Sequence, residues 1–298
     1  MSAKITANQL LLNKKKGIAF IIISAFFFAC TNMFVNMSGN LPAIQKSFFR
    51  NLVAVIFASV VLFKERDKFK FKKSNVKWLV LRSTFGTVGI ICNFYALSKL
   101  VISDASMLNK LSPFFVLIFS YFFLKEKMNR FQMMSVIVVF LGSLFIIKPS
   151  FSNINLGPAL IGMIGGIAAG AAYTTVRYLG GKGENKSFII VFFSAFSALV
   201  TLPFVLLDYH PMTLNQFVIL ILAGVAATGG QFFITYAYNY APARDISVYD
   251  YSQVIFAAAL GYMFLGQVAD VFSVIGYIII CTVAVVSFIK RDKIEDKR

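Results

Sequence analysis

Ten stretches of the chain are almost continuously apolar, and short polar segments separate them. They cover residues 17–37, 42–63, 76–97, 102–124, 130–147, 157–178, 187–207, 215–240, 246–265 and 268–289. A helix needs roughly 17 to 25 mostly apolar residues to cross the hydrocarbon of a bilayer. The pattern therefore predicts an all-α polytopic membrane protein with ten transmembrane helices. Only one hydrophilic segment is long, Lys64 to Lys77, and its alternation of Lys with Phe reads as an interfacial anchor rather than a domain.

A second pattern lies over the first. A shift of 141 residues carries Tyr95 onto Tyr236, Ala96 onto Ala237, Asp104 onto Asp245 and Ser106 onto Ser247. It also carries Phe115 onto Phe256, Tyr121 onto Tyr262, Phe123 onto Phe264 and Leu124 onto Leu265. So many matches within one short ungapped stretch point to an internal duplication. Each half then holds five spans, an odd number, so the second half inserts upside down relative to the first. Inverted repeats are a mark of secondary transporters. The expected organisation is a basic N-terminal segment (1–16), a first repeat (17–148, helices 1 to 5), an outer linker (149–156), a second repeat (157–289, helices 6 to 10) and a basic tail (290–298). Pro149, Ser150, Ser152, Asn153 and Asn155 make the linker polar.

Composition supports the membrane reading: 58% of residues are hydrophobic and 14% charged, with a mean hydropathy of +0.77. The net charge of +17 raises the question of a nucleic-acid partner, and the placement of the charges answers it. Of the 29 Lys and Arg residues, 23 fall on one face, counted over the N-terminus, the alternate loops and the tail, against 3 on the other (Lys46, Lys99 and Lys148). This positive-inside asymmetry predicts a multi-pass protein of the cytoplasmic (inner) membrane with both termini in the cytoplasm. Anionic lipids on the cytoplasmic face, not nucleic acid, are the expected partners of the basic charge.

Lys14, Lys15 and Lys16 precede an apolar run of full span length that ends in no clear small-residue cleavage site, so the run is read as a retained first helix. Ala29-Cys30 does not end the apolar stretch, which argues against a lipoprotein site. Cys30, Cys92 and Cys281 all fall inside spans, where a small buried side chain is the default reading. His210 is the sole histidine and sits in an outer loop, leaving no material for histidine-based catalysis or a Cys/His metal site. Gly180-Gly181-Lys182-Gly183 lacks the Ser/Thr and spacing of a phosphate-binding loop. Neither enzymatic activity nor a cofactor is expected.

The run from Asp104 through Asn109, Lys110, Ser112 and Pro113 to Phe123-Leu124-Lys125-Glu126 resembles the fourth-helix signature of the EamA-type drug/metabolite transporter superfamily. Phe48-Phe49-Arg50-Asn51, Gly86 to Tyr95 and Phe264-Leu265-Gly266 carry the same resemblance over the rest of the chain. It implies a ten-helix carrier of two inverted five-helix repeats. The central cavity would be lined by the first four helices of each half, with the fifth and tenth helices at the periphery or in contacts between protomers. A monomer or homodimer is expected. Gln267 stands where the first half has Glu126, so a paired loop carboxylate is not implied there. The cargoes of this superfamily are too varied for membership to identify one.

Polar side chains inside spans are costly and tend to face a cavity or a partner. Under the 141-residue shift Asn32 and Asn36 fall on Tyr173 and Arg177, both pairs at i, i+4. Asn109 and Ser112 fall on Asp250 and Gln253, both at i, i+3. Stripes that recur under the repeat fit a shared central cavity, and interhelical hydrogen bonding is the competing reading. Asp250 is the one carboxylate placed well inside a span, where burial and a neighbouring cation pull its protonation in opposite directions. Lys110 follows the symmetry mate of Asp250, so the two are expected either to form a fixed salt bridge or to take part in substrate binding and coupling. Arg50 and Arg82 are placed nearer helix ends, with Arg82 either snorkelling to the cytoplasmic surface or touching ligand.

Tyr95, Tyr173, Tyr236, Tyr238, Tyr249 and Tyr251 are expected around the same zone, with Asn93 and Gln231 completing a ring of hydrogen-bonding groups. Pro113 frees a backbone carbonyl in the fourth span and is the candidate gate. The glycines of 157–172 and 224–230 read as close-packing positions. The expected function is secondary active transport by alternating access of a small polar metabolite, an amino acid or related zwitterion, with proton coupling and export. Substrate contacts are assigned to Asn32, Asn36, Asn93, Tyr95, Asn109, Lys110, Tyr173, Gln231, Tyr249, Asp250 and Gln253. A carrier for organic cations, nucleosides or sugar derivatives and a passive channel are the alternatives.

Overall fold

The computed structural model describes residues 2–64, 72–124, 130–147, 156–241 and 246–295, and no strand occurs among them. The helices are α1 (Ser2–Met37), α2 (Ala43–Lys64), α3 (Val76–Lys99), α4 (Ile102–Asn109), α5 (Ser112–Leu124) and α6 (Arg130–Ile147). The second half holds α7 (Leu156–Gly181), α8 (Lys186–Leu207), α9 (Leu214–Tyr240), α10 (Ser252–Leu265) and α11 (Val271–Glu295). Single 3-10 turns, Lys73–Asn75 and Ser247–Tyr251, precede α3 and α10. Most of the 149–156 linker, half of Lys64 to Lys77 (65–71), Glu126 and Asp245 lie outside the described residues.

Each of the ten expected spans has a helical counterpart, and seven helical stretches are long and apolar enough to cross a membrane. The fifth and tenth spans carry shorter apolar stretches, Met133–Ile146 and Val271–Val286. The polytopic membrane fold follows. Two details differ from the hydropathy pattern. α1 starts at Ser2 rather than at 17, because no Pro or Gly between Ser2 and Lys16 stops the helix from running on into the basic segment. The fourth span is two helices, α4 and α5, interrupted at Lys110 and Leu111.

Local chemistry marks the ends. Asn185 caps α8 by accepting from the Phe188 amide, and Thr213 with Gln216 forms a reciprocal capping box at the start of α9. α10 stops at Gly266, whose φ of 61° is left-handed backbone that suits glycine.

The packing has the two-fold pattern of the duplication. α1 lies against α9 as α3 lies against α7, and α1 meets α10 as α7 meets α4 and α5. α2 packs on α9 as α8 packs on α3, while α2 with α8 and α6 with α11 join each element to its own symmetry mate. At the crossing of α3 and α7 a Cβ on Gly89 would come 3.3 Å from the carbonyl oxygen of Gly165, and one on Gly165 would come 3.2 Å from that of Gly89. Backbones can approach this closely only without side chains between them. The small residues of α7 therefore serve packing, and the polar faces of α1, α3 and α7 are drawn toward one central space.

Candidate functional site

The interruption of the fourth span creates the centre of the molecule. Pro113 has no amide hydrogen, so the carbonyl of Asn109 loses its helical donor. The amides of Phe114 and Phe115 turn to the carbonyl of Leu111 at 3.0 and 3.2 Å. The carbonyl of Lys110 is left over, and the buried hydroxyl of Tyr251 donates to it at 2.9 Å. At the same break the Nζ of Lys110 lies 2.6 Å from Oδ2 of Asp250. Asp250 is 1% exposed and Lys110 3%, and the other carboxylate oxygen, Oδ1 of Asp250, is buried with no hydrogen-bond partner. An ion pair with one oxygen uncommitted thus joins the two repeats where each breaks from regular α-helix.

A cavity of about 90 Å³, measured as the space open to the centres of water molecules, lies beside this pair. Both repeats line it. Asn32 of α1, Arg50 of α2, Arg82 and Asn93 of α3 and Asn109 and Lys110 at the break come from the first. Tyr173 of α7, Phe193 of α8, Gln231 of α9 and Gln253 of α10 come from the second. Asn32 is held by donating from Nδ2 to the Ser106 hydroxyl at 2.9 Å. Tyr173 is backed by Tyr238, with ring centroids 6.0 Å apart. Oδ1 of Asn93 is buried without a partner. A second, larger hollow of about 390 Å³ between α5, α6 and α7 is walled by apolar side chains such as Phe115, Val136 and Met163, and offers nothing to orient a polar ligand.

The structure thus gathers Asn32, Asn93, Asn109, Lys110, Tyr173, Gln231 and Gln253 around one space, with Asp250 behind Lys110. Asn36, Tyr95 and Tyr249 lie elsewhere. Nδ2 of Asn36 donates to the carbonyl of Leu97 at 2.8 Å, tying α1 to the end of α3. Tyr95 is 37% exposed, because its position on α3 faces away from the helices that close the cavity. Tyr249 packs against the cluster of Ile21, Ala237 and Ile246.

Two groups that sequence reasoning set at the helix ends belong to the wall. Arg50 is 3% and Arg82 2% exposed, and Arg82 does not snorkel. Their guanidinium carbons lie 5.8 Å and 3.8 Å from the centroid of the Phe193 ring, within cation–π range. Gly86 makes the room, since a Cβ there would stand 2.6 Å from the Phe193 ring. The signal for both arginines was in the charge tally. Of the 29 basic residues only Arg50, Arg82 and Lys110 belong to neither membrane face, and all three line the cavity.

The EamA-like transporter family matches residues 15–148 and 157–289. The chain belongs to the EamA-like transporter family. Among its relatives, the pseudopaline exporter CntI of Pseudomonas aeruginosa is 30% identical over 89% of this chain and 93% of its own length. The human solute carrier family 35 member G1 is 24% identical over 90% of this chain and 77% of its own. A solved crystal structure matches with a TM-score of 0.69 over 94% of this chain and 99% of that one, at 12% identity, a likeness of fold alone. This EamA-like protein is therefore a multi-pass membrane transporter of a small molecule.

Proposed function

We propose that the protein is a secondary carrier working by alternating access, which exports a small polar metabolite, an amino acid or related zwitterion, from the cytoplasm. The observation that carries this reading is the cavity at the junction of the two repeats, which polar side chains from both halves line, with the Lys110–Asp250 pair at its edge. A site at the interface of inverted repeats becomes accessible to one side and then the other when the halves rock about it. The 23-to-3 distribution of basic residues supports a place in the inner membrane with both termini in the cytoplasm, the basic face resting on anionic lipid. The name of the pseudomonad exporter supports the outward direction.

In this scheme Asn32, Asn93, Tyr173, Gln231 and Gln253 orient the cargo, and Lys110 with Asp250 couples its movement to a proton. The uncommitted oxygen of Asp250 is the acceptor, and protonation releases Lys110 to the cavity. Pro113 marks the flexible joint of the fourth span. Reconstituted vesicles test the carrier. Preloading with unlabelled amino acids should accelerate entry of labelled ones by exchange. Equal rates in loaded and empty vesicles, as an open pore would give, would sink it.

A further inference from the structure

Two of the three cations on the cavity wall have no counter-charge among the described residues. Asp250 balances Lys110 at 2.6 Å. Among the described residues no carboxylate lies within ion-pairing distance of Arg50 or Arg82. Arg50 gives Nη1 to Oδ1 of Asn51 at 2.6 Å, and Nε of Arg82 is buried with no partner. The other polar side chains facing the cavity, among them Asn32, Asn93, Asn109, Tyr173, Gln231 and Gln253, supply hydrogen bonds but no carboxylate. The face of Phe193 attracts both guanidiniums and carries no net charge either. Because both lie against this one ring, less than about 10 Å separates them. Two like charges this close, taken out of water inside a membrane, are costly to each other and to the fold unless an anion comes between them.

We propose that the cargo is a net anion bearing at least two carboxylates, held by Arg82 and Arg50, rather than a zwitterion of zero charge. This rests on the carrier reading above and narrows its cargo. Arg82 lies 3.8 Å from the ring centroid, and its buried, unpartnered Nε is one half of the planar fork that a guanidinium can offer. A planar carboxylate fills such a fork with two parallel bonds. Arg50, one nitrogen already committed to Asn51, gives its remaining donors to the second carboxylate. The amide side chains then orient the part of the cargo between the two charged ends.

The test uses vesicles containing the full-length protein and loaded with the total small-molecule extract of the expression host, from which exported solutes are sorted by ion exchange. The expected result is that solutes lost from protein-containing vesicles, and not from empty ones, sit in the anion-binding fraction and survive phosphatase treatment. Arg82→Gln should lower that flux at least tenfold, and Arg82→Lys, which keeps the charge without the fork, should lower it less. Should Arg82→Gln fail to reconstitute, Arg50→Gln makes the same comparison. Export confined to neutral or cationic solutes, or to phosphatase-sensitive ones, overturns the dicarboxylate assignment and leaves the carrier standing. Wild-type flux of the anionic fraction through the Gln variants also overturns it. No export from any fraction overturns the carrier reading together with this one.

Discussion

The hydroxyl of Tyr251 donates to the main-chain carbonyl of Lys110 at 2.9 Å, and the two residues are 141 positions apart, the offset of the internal repeat. Symmetry mates that touch must lie beside the axis relating the two halves. The repeats therefore meet at the interruption of the fourth span, and the bond supplies a donor to the Lys110 carbonyl that the interruption leaves over. Replacing Tyr251 with Phe keeps the ring and leaves the Lys110 carbonyl buried without a donor. The expected cost is on the order of 1 kcal/mol, since hydrogen bonds within membranes are individually modest. A lowered unfolding midpoint in detergent, with an unchanged helical circular-dichroism spectrum, is the measurement that checks it.

Lys110 and Asp250 lend themselves to a cycle of substitutions. Lys110→Met leaves a carboxylate that is 1% exposed without its cation. The expected loss is about 3 to 5 kcal/mol, the usual scale for breaking one side of a buried pair. Asp250→Leu should cost a comparable amount, and the double variant should recover much of the loss because no buried charge remains. Stability and coupling separate here. If the double variant regained both stability and accumulation of substrate on an imposed pH gradient, the pair would be structural alone.

Much of this architecture was legible in the chain, for physical reasons that can be named. Spans are readable because hydrocarbon demands apolar runs of fixed length, and the repeat because Asp104, Ser106 and Phe115 recur in register at Asp245, Ser247 and Phe256. The stripes of Asn32 with Tyr173 and of Asn109 with Asp250 marked the cavity, since membrane burial leaves polar side chains few places to go. Asn36, one turn on from Asn32, bonds the Leu97 carbonyl instead, and Tyr95, two residues on from Asn93 in α3, is 37% exposed. Helical periodicity alone does not fix which helices will close on a given face. Arg50 and Arg82 escaped because an arginine near a span end can equally reach water. What holds them inward is the Phe193 ring from α8, a long-range partner that no local pattern announces.

Pro113 offers a test of the joint. Pro113→Ala restores an amide hydrogen that can reach the carbonyl of Asn109, so α4 and α5 should tend toward one continuous helix. Continuity would move the side chains of Asn109 and Lys110 relative to Tyr251 and Asp250. The expected outcome is a protein as stable as the wild type or more so, since alanine favours helix, with flux reduced severalfold. Wild-type flux would show that the interruption does not serve the transport cycle.

Gly86 controls whether Arg82 can reach the cavity at all. A Cβ added there would stand 2.6 Å from Cε2 of Phe193 and would also collide with the Arg82 guanidinium. Either the ring or the arginine must move, and both are packed within the bundle. Gly86→Ala is therefore expected to cut flux at least tenfold even though alanine improves the helix by about 1 kcal/mol. Gly157→Ala is the matching control, because no atom lies within 4 Å of the added carbon and its flux should stay at the wild-type level. Phe193→Ala should lower flux as well, since it removes the ring against which both guanidiniums lie. Wild-type flux through Gly86→Ala would show that seating Arg82 does not depend on the space Gly86 leaves.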